Sequence, residues 1–378
     1  MTAVAGRSIP VIVPALGEEE AQAAAAAVRS GWVAQGPRVA EFERAFAADA
    51  GAGHGVAVTS CTTALHLALV VLGVGPGDEV VVPSLSFIAT ANAVRYVGAT
   101  PVFADVDLLS GNLTPETIDV VRTRRTKAVI AVHQGGVPAD VDALRAVCAG
   151  WGMALVEDAA CAAGSTVRGR PASAGALLAA WSFHPRKVIT TGEGGMVTTD
   201  DPDFATRLRR LREHGMSVSA AERHASAQPV LESYLETGFN YRMTDIQAAV
   251  GLVQLRKLAA LVARRRELAA NYHRLLADLP GVHPVRDPSY GTSNFQSFWV
   301  LLERANRDEA LAALASARIS ARRGIMAAHL EPAYRGVAST RLPNTERLTR
   351  DSLILPLYHD MTDSEQEYVV DVLRAACA

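Results

Sequence analysis

The sequence predicts an α/β protein, with a mostly parallel seven-stranded sheet covered by helices on both faces and a smaller C-terminal α/β unit. Three observations lead there. Seven short β-rich runs, GVAVTS, EVVVPS, TPVFADVD, KAVIAVH, MALVEDA, AAWSFH and GMVTTD, recur between residues 55 and 200. Helical stretches such as TALHLALVVLG, ATANAVRYVG and DALRAVCAGWG separate most of them, and strands joined through helices pair in parallel with both faces buried. The chain has 378 residues, 49% of them hydrophobic, enough for one large core and a second smaller one.

The elements follow in order. After an N-terminal arm, GEEEAQAAAAAVRS (Gly17 to Ser30) reads as a helix, and a second amphipathic helix lies between Pro37 and Ala50. The glycine-rich GAGHG (Gly51 to Gly55) is no dinucleotide loop, because a helix precedes it and a strand follows, the reverse of the order that motif needs. The seven strands and their helices come next. The stretch TDIQAAVGLVQLRKLAALVARRRE (Thr244 to Glu267) reads as a long helix leaving this domain, so the boundary is placed between a large unit, 1–255, which includes the arm, and a small one, 256–378. The small unit contains a strand-like FQSFWVLL, a helix from about Asp308 to Ser316, a second apolar run LILPLY, and a last helix begun by a Thr362/Glu365 capping box.

Composition excludes several function classes. With 37 basic and 39 acidic residues the formal net charge is -2, which offers no field for nucleic acid or an anionic membrane surface. Any bound anion must be held locally. Cys61, Cys148, Cys161 and Cys377 form no CxxC pair and suggest neither a disulfide framework nor a zinc site, so no metal is expected. The start, MTAVAGRSIPVIVP, lacks an apolar signal core, and no uninterrupted apolar run reaches transmembrane length; a cytoplasmic location is the expectation. Lysine occurs only at Lys127, Lys187 and Lys257, and 34 of the 37 basic residues are arginine. Chemistry that needs a deprotonatable amine cannot use a guanidinium, so each lysine is a candidate; Lys127 and Lys257, in Arg-rich surface-like runs, read as drift.

Four stretches point to chemistry. In SFHPRKVITTGEGGMVTTD a strand ends near Phe183 and Lys187 stands in the turn outside the sheet, where ligands of open α/β sheets collect. An amine kept from free hydration falls in pKa and attacks a carbonyl; the alternative is a solvated loop lysine. In VEDAACAAGS the strand delivers Asp158 to its end, either as the carboxylate that keeps a pyridine nitrogen protonated or as a helix N-cap. In VAVTSCTTALHLALVVLG a strand runs into a helix whose first residues include Cys61 and Thr62, a start that cradles a phosphate or is simply capped. In PSLSFIATANA, Phe87 opens a helix, either stacking on a flat heterocycle or buried in the core.

Together these stretches resemble the DegT/DnrJ/StrS family of sugar aminotransferases, which share the aspartate-aminotransferase-like fold (pyridoxal-phosphate fold type I). SGWVAQGPRVAEFERAFA, SCTTALHLAL, PSLSFIATANAVRYVGATPVFADVD, VEDAACAAGS, SFHPRKVITTGEGGMVTT and GFNYRMTDIQAAVGLVQL occur in the family's order over nearly the whole chain. The resemblance implies pyridoxal 5'-phosphate as cofactor, with pyridoxamine phosphate as its intermediate form. It implies Lys187 as the Schiff-base lysine and proton shuttle, Asp158 as partner of the pyridinium, Phe87 as the stacking ring, and Cys61, Thr62 and Ser182 as the phosphate cradle. Asn240 matches a residue that crosses from the partner subunit to the phosphate, which implies a homodimer with shared sites; a turn residue is the alternative. Cys161 stands where many members place Gln or His beside the phenolic oxygen, a departure that leaves cofactor tuning or plain packing open. Thr190, Glu193 and Gly195 fall in the family's TTGEGG run, as substrate contacts or loop geometry. Arg323 and His329, in ARRGIMAAHLEPAY, are substrate candidates set against a surface Arg and a capped His.

The function implied is a transaminase moving an amino group, by resemblance from glutamate, to a keto group of a nucleotide-linked sugar in amino-sugar biosynthesis; a keto-cyclitol or other sugar-like acceptor is the alternative. Related dehydratases commonly replace the lysine, so Lys187 favours transamination over that reading. A regulatory protein that binds the cofactor without catalysis is the rival from a different class.

Overall fold

The computed structural model describes residues 8–218, 229–337 and 340–377. Two helices come first, α1 (Glu18–Arg29) and α2 (Pro37–Asp49). Then follow β1 (His54–Val58), α3 (Cys61–Val71), β2 (Glu79–Pro83), α4 (Ala89–Tyr96), β3 (Thr100–Ala104), α5 (Pro115–Asp119), β4 (Thr126–Val132), α6 (Val141–Gly150) and β5 (Ala154–Asp158). Two short strands, β6 (Thr166–Val167) and β7 (Arg170–Pro171), precede β8 (Leu178–Ser182), β9 (Gly195–Thr199) and α7 (Pro202–Leu211). The rest comprises α8 (Asp245–Leu275), β10 (Val282–Pro284), β11 (Gly291–Thr292), β12 (Phe298–Leu302), α9 (Arg307–Ser316), β13 (Arg322–Arg323), α10 (Pro343–Asp351), β14 (Ser352–Leu355) and α11 (Asp363–Cys377).

All seven expected runs form one sheet, in the order β1-β9-β8-β5-β4-β2-β3. Four pairings are parallel, while β9 runs antiparallel to both its neighbours. The carboxyl ends of the other six strands therefore share one edge. Successive side chains of a strand point to opposite faces, so Val81, Val129, Leu155 and Ala179 enter one core while Val80, Ile130, Val156 and Ala180 enter another. Burial on both faces is why these strands read as unbroken apolar runs. The small unit is an antiparallel sheet, β10-β12-β14-β13, with α11 begun by Thr362 and Glu365 as expected: Glu365 N donates to Thr362 Oγ1 (3.2 Å) and Thr362 N to Glu365 Oε2 (2.9 Å).

Two details depart from the sequence reading. The arm touches both units: Gln254 Nε2 donates to Ala15 O (2.7 Å), while Ile9 N donates to Arg318 O (3.0 Å), Ser320 N to Ile9 O (2.8 Å), and Leu357 N to Val11 O (3.0 Å), which fastens its first part to the small unit. The boundary at residue 255 falls inside α8, which runs unbroken for 31 residues. Its first half packs on α1 and α2 and its far half on α11. The helix outruns the expected end at Glu267 because Leu268, Ala269 and Tyr272 are buried and the Tyr272 hydroxyl donates to Pro356 O (2.9 Å). By length and composition alone α8 would suffice to cross a membrane, but it packs against helices of both units. At its start Asp245, wholly buried, accepts from the N–H groups of Gly36, Arg38 and Val39, satisfying the otherwise orphaned donors of α2.

Candidate active site

The strand ends at the shared edge carry the polar residues. Asp158 is the last residue of β5. Pleat alternation sends Glu157 the other way, where Arg145 donates to it through Nη2 (2.7 Å) and Nε (2.9 Å). Asp158 itself is buried and accepts from Thr90 Oγ1 on α4 (2.9 Å) and from Ala160 N (3.2 Å). Thr90 shares a further hydroxyl contact with Ser86 (2.7 Å), which holds it in register. No helix follows Asp158, so the N-cap alternative falls. Burial raises its pKa and the Thr90, Ala160, Lys187 and His133 contacts draw it back only in part, leaving a carboxyl that would welcome an apposed cation.

Lys187 lies in the turn after β8, its Nζ 3.1 Å from Cys161 Sγ. The turn is fixed by its own main chain: Phe183 N donates to Gly194 O (2.9 Å), Thr191 N to Phe183 O (3.0 Å) and Lys187 N to His184 O (2.8 Å). The expected fall in the lysine pKa is not what the site produces. Burial does pull it down, but Cys161, Cys61 and Asp158 face the amine and outweigh that pull, so the net direction is up. Cys61 Sγ reaches Asp158 Oδ1 at 3.9 Å, and burial together with that carboxylate pushes its thiol up. Lys127 pairs with Asp78 (3.1 Å) and donates to Gly73 O (2.6 Å), and Lys257 pairs with Glu20 (2.8 Å) and Glu19 (3.8 Å), both away from Asp158 and Lys187 in the sequence and in their contacts.

A third group of donors stands at the start of α3. Ser60 caps this helix: Thr63 N donates to its Oγ (3.2 Å) and Ser60 N to Thr63 Oγ1 (3.1 Å). That leaves the N–H groups of Cys61 and Thr62 without an acceptor among the described residues, at the positive end of the helix dipole. Gly195 opens β9 beside them, where a Cβ would lie 2.3 Å from Ser60 C and 2.6 Å from Cys61 N. Its absence of a side chain lets the sheet approach this helix start. Ser182 ends β8 opposite Gly195 in register. Phe87, 67% exposed, is no core residue; it stands just before α4, three residues ahead of the Thr90 that donates to Asp158. A buried acid, an amine, a helix start with free donors and an exposed ring are the donor set that pyridoxal phosphate requires, so the residues present fit that group.

The remaining candidates sort by position. Thr190 and Thr191 serve the loop, through Thr190 Oγ1 to Phe183 O (2.8 Å) and Thr191 Oγ1 to Glu193 O (2.6 Å). The Glu193 side chain is exposed and faces His184 (3.8 Å). Asn240 is exposed and bridges Glu213 in a short β-contact, not in a turn. Arg323 is exposed beside Glu331 (3.4 Å), whereas its neighbour Arg322 lines the cavity that holds Lys187 and Cys161. His329 docks onto Ser84 (Nδ1 to Oγ, 2.6 Å), fixing the segment just before Phe87. The sequence reading missed Thr90 and Arg322. PSLSFIATANA does place Thr90 one helical turn from Phe87, but nothing local ties it to Asp158, and an Arg-Arg doublet does not say which member turns inward.

A model of the DegT/DnrJ/EryC1/StrS aminotransferase family matches residues 14–374. Solved structures agree. The aminotransferase TlmJ from Streptoalloteichus hindustanus is 38% identical, with a TM-score of 0.90 over 97% of this chain and 98% of that one. DesI, solved in the presence of its TDP-sugar product, is 34% identical, with a TM-score of 0.89 over 99% and 94%. Spr1654 from Streptococcus pneumoniae, described as a sugar aminotransferase, is 28% identical in its PMP-form, with a TM-score of 0.91 over 98% and 99%, and is also known in a PLP-form.

Proposed function

This chain belongs to the DegT/DnrJ/EryC1/StrS aminotransferase family and is a pyridoxal-phosphate-dependent aminotransferase, and from that premise we propose that it moves an amino group from glutamate to a keto group of a nucleotide-linked sugar. The acceptor class draws support from DesI, which was solved in the presence of its TDP-sugar product. The observation that carries the reading is the meeting of Lys187 and Asp158 in one buried site at the strand ends, with Cys61 beside both.

Each residue has a task that its surroundings suit. When bound, the cofactor supplies a protonated ring that draws electrons from the carbon losing its proton. Lys187 Nζ would be the attachment point and would move the proton; the fixed turn that carries it and the Cys161 contact keep that nitrogen within one site for both half-reactions. Asp158, oriented by Thr90, holds a proton on the ring nitrogen, because its buried carboxylate is poorly solvated and gains from a cation placed against it. The N–H groups of Cys61 and Thr62, with the Ser182 hydroxyl, hold the phosphate without any net basic charge. Phe87 covers the ring face, and Cys161 packs beside the amine. Asn240, exposed on its own subunit, completes the phosphate contacts of the partner's site in a cytoplasmic homodimer.

Lys187→Ala tests the reading. The variant is expected to fold, to lose at least about a hundred-fold in turnover, and to lose the visible absorbance of covalently held cofactor. Full activity in that variant refutes the assignment. A panel of nucleotide-linked ketosugars and keto-cyclitols, followed by mass spectrometry for gain of an amine, identifies the acceptor.

A further inference from the structure

Beside Lys187 lies a cavity of about 170 Å³ lined by Arg186, Lys187, Arg265 and Arg322, and by no aspartate or glutamate. In a chain with a formal net charge of -2, four cations around so small a space are a local excess. None of the three guanidinium groups has a carboxylate at ion-pair distance among the described residues. Arg265 is buried and gives Nε and Nη2 to the carbonyls of Phe295 and Gln296, 2.9 Å each; burial lowers it to about 10. Arg186, which is exposed, and Arg322, which is half-buried, make no side-chain hydrogen bond among the described residues, and burial together with the nearby Arg186 pulls Arg322 down. Gln296, 7% exposed, donates its Nε2 to Arg186 O, which leaves its Oε1 buried in the cavity wall without a partner. Strand alternation explains the selectivity of the doublet: Arg322 faces the cavity and Arg323 faces solvent.

Excess positive charge and an unmet acceptor describe a site that lacks its ligand's groups. The ligand must be anionic, must bear a hydrogen-bond donor, and must be small, since the cavity is well below the roughly 300–1,000 Å³ typical of sites for larger molecules. A nucleotide-linked sugar does not fit that description, whereas an amino acid does. Resting on the proposed transaminase reading, we propose that Arg322 and Arg186 form the carboxylate-binding subsite for the amino donor, and that Gln296 Oε1 accepts from the donor's amino group as it approaches Lys187. Two guanidinium groups without partners select a dicarboxylic donor over a monocarboxylic one.

The test uses the holoenzyme and glutarate, a dicarboxylate that cannot be transaminated, with binding read by calorimetry. Wild type is expected to bind glutarate, and Arg322→Gln and Arg186→Gln each to weaken it on the order of ten- to a hundred-fold. Steady-state kinetics should show the KM for glutamate raised in both variants, with the KM for the keto acceptor unchanged. Arg323→Gln, on the outward face of the same strand, should leave both constants and glutarate binding as in wild type. Both cavity residues project from a turn or a sheet edge without bonds of their own, so their loss does not threaten the fold. Unaltered glutarate binding in Arg322→Gln and Arg186→Gln, or an increase in acceptor KM instead of donor KM, overturns the proposal. Glutarate binding that depends on Arg322 in a wild-type enzyme unable to transfer amine from any amino acid would sink the transaminase reading while leaving the anion subsite in place.

Discussion

Gly195→Ala probes the dependence of the cofactor site on the packing of the sheet. Glycine is required here for space, not for backbone freedom, because the backbone at this position is one that any residue adopts. An added Cβ would meet Ser60 C at 2.3 Å, Ser60 O at 2.4 Å and Cys61 N at 2.6 Å. Ordinary carbon contacts begin at roughly 3.5 Å, so the start of α3 and the start of β9 must separate by about 1 Å. Neither can yield alone: Gly195 is paired in register with Val58 on one side and Ser182 on the other, and Ser60 is locked in its capping box. Overpacking of this kind costs about 1–3 kcal/mol, and the rigidity of both partners argues for the upper end, a loss of roughly 5 °C in melting midpoint for a chain of this size. Displacing the Cys61 and Thr62 N–H groups by about 1 Å would break the hydrogen bonds proposed to the cofactor phosphate, each worth about 1.5–3 kcal/mol, or roughly ten- to a hundred-fold in cofactor affinity. Thermal melts of the cofactor-free protein and a pyridoxal-phosphate titration followed by absorbance measure the two effects separately. A variant that melts and binds cofactor as wild type does would refute this account of the cradle.

Two further outcomes follow from the charges. The Asp158 carboxyl is held above its ordinary value, so its contribution to stability is full below about pH 3.8 and is lost as the pH rises through the folded value. Asp158→Asn should accordingly raise the melting midpoint of the cofactor-free protein at neutral pH while lowering turnover by roughly ten- to a hundred-fold; a variant that melts earlier contradicts the assignment of strain to this carboxylate. For Glu20, burial alone would raise the pKa, but Lys257, Gln254 and the Gly17 N–H bring it down to about 2. Its stabilisation is present above 4.5 and disappears as the pH falls towards 2, on the order of 1–3 kcal/mol. Lys257→Met should lose most of that difference, seen as a gap in denaturation midpoints from wild type that is present near neutrality and closes in acid.

The large sheet was legible because each strand is a short, doubly buried apolar run, and such runs announce themselves without knowledge of their neighbours. Strand direction is not written in the run: GMVTTD looks like the other six, yet β9 reverses, and only its short, helix-free connection from β8 distinguishes it. The arm's contact with the small unit was not legible because its pairing with Arg318 and Ser320 spans most of the chain, and no local pattern encodes a contact of that range. Of the site, Lys187, Asp158 and the α3 start were visible through their positions at strand ends. Phe87, taken by itself, read better as core, and its exposure is decided by α4 turning Thr90, Ala91, Ala93 and Val94 inward instead. Thr90 and Gln296 act through partners 68 and 110 residues away, so they belong to the folded molecule before they belong to any motif.

The unbroken course of α8 carries a consequence for how such a chain can vary. One inserted residue near its middle would rotate everything beyond by about 100° and advance it by about 1.5 Å. Arg265 would swing away from Phe295 and Gln296, and Tyr272 from Pro356, while Asp245 kept its grip on α2. Gly251 gives no slack, since a Cβ there would strike Phe42 at 2.8 Å. The segment thus tolerates exchange of its outward side chains but not a change in its length, and the distance from Asp245, against the start of α2, to Arg265 at the cavity beside Lys187 is set by counting residues along a rod.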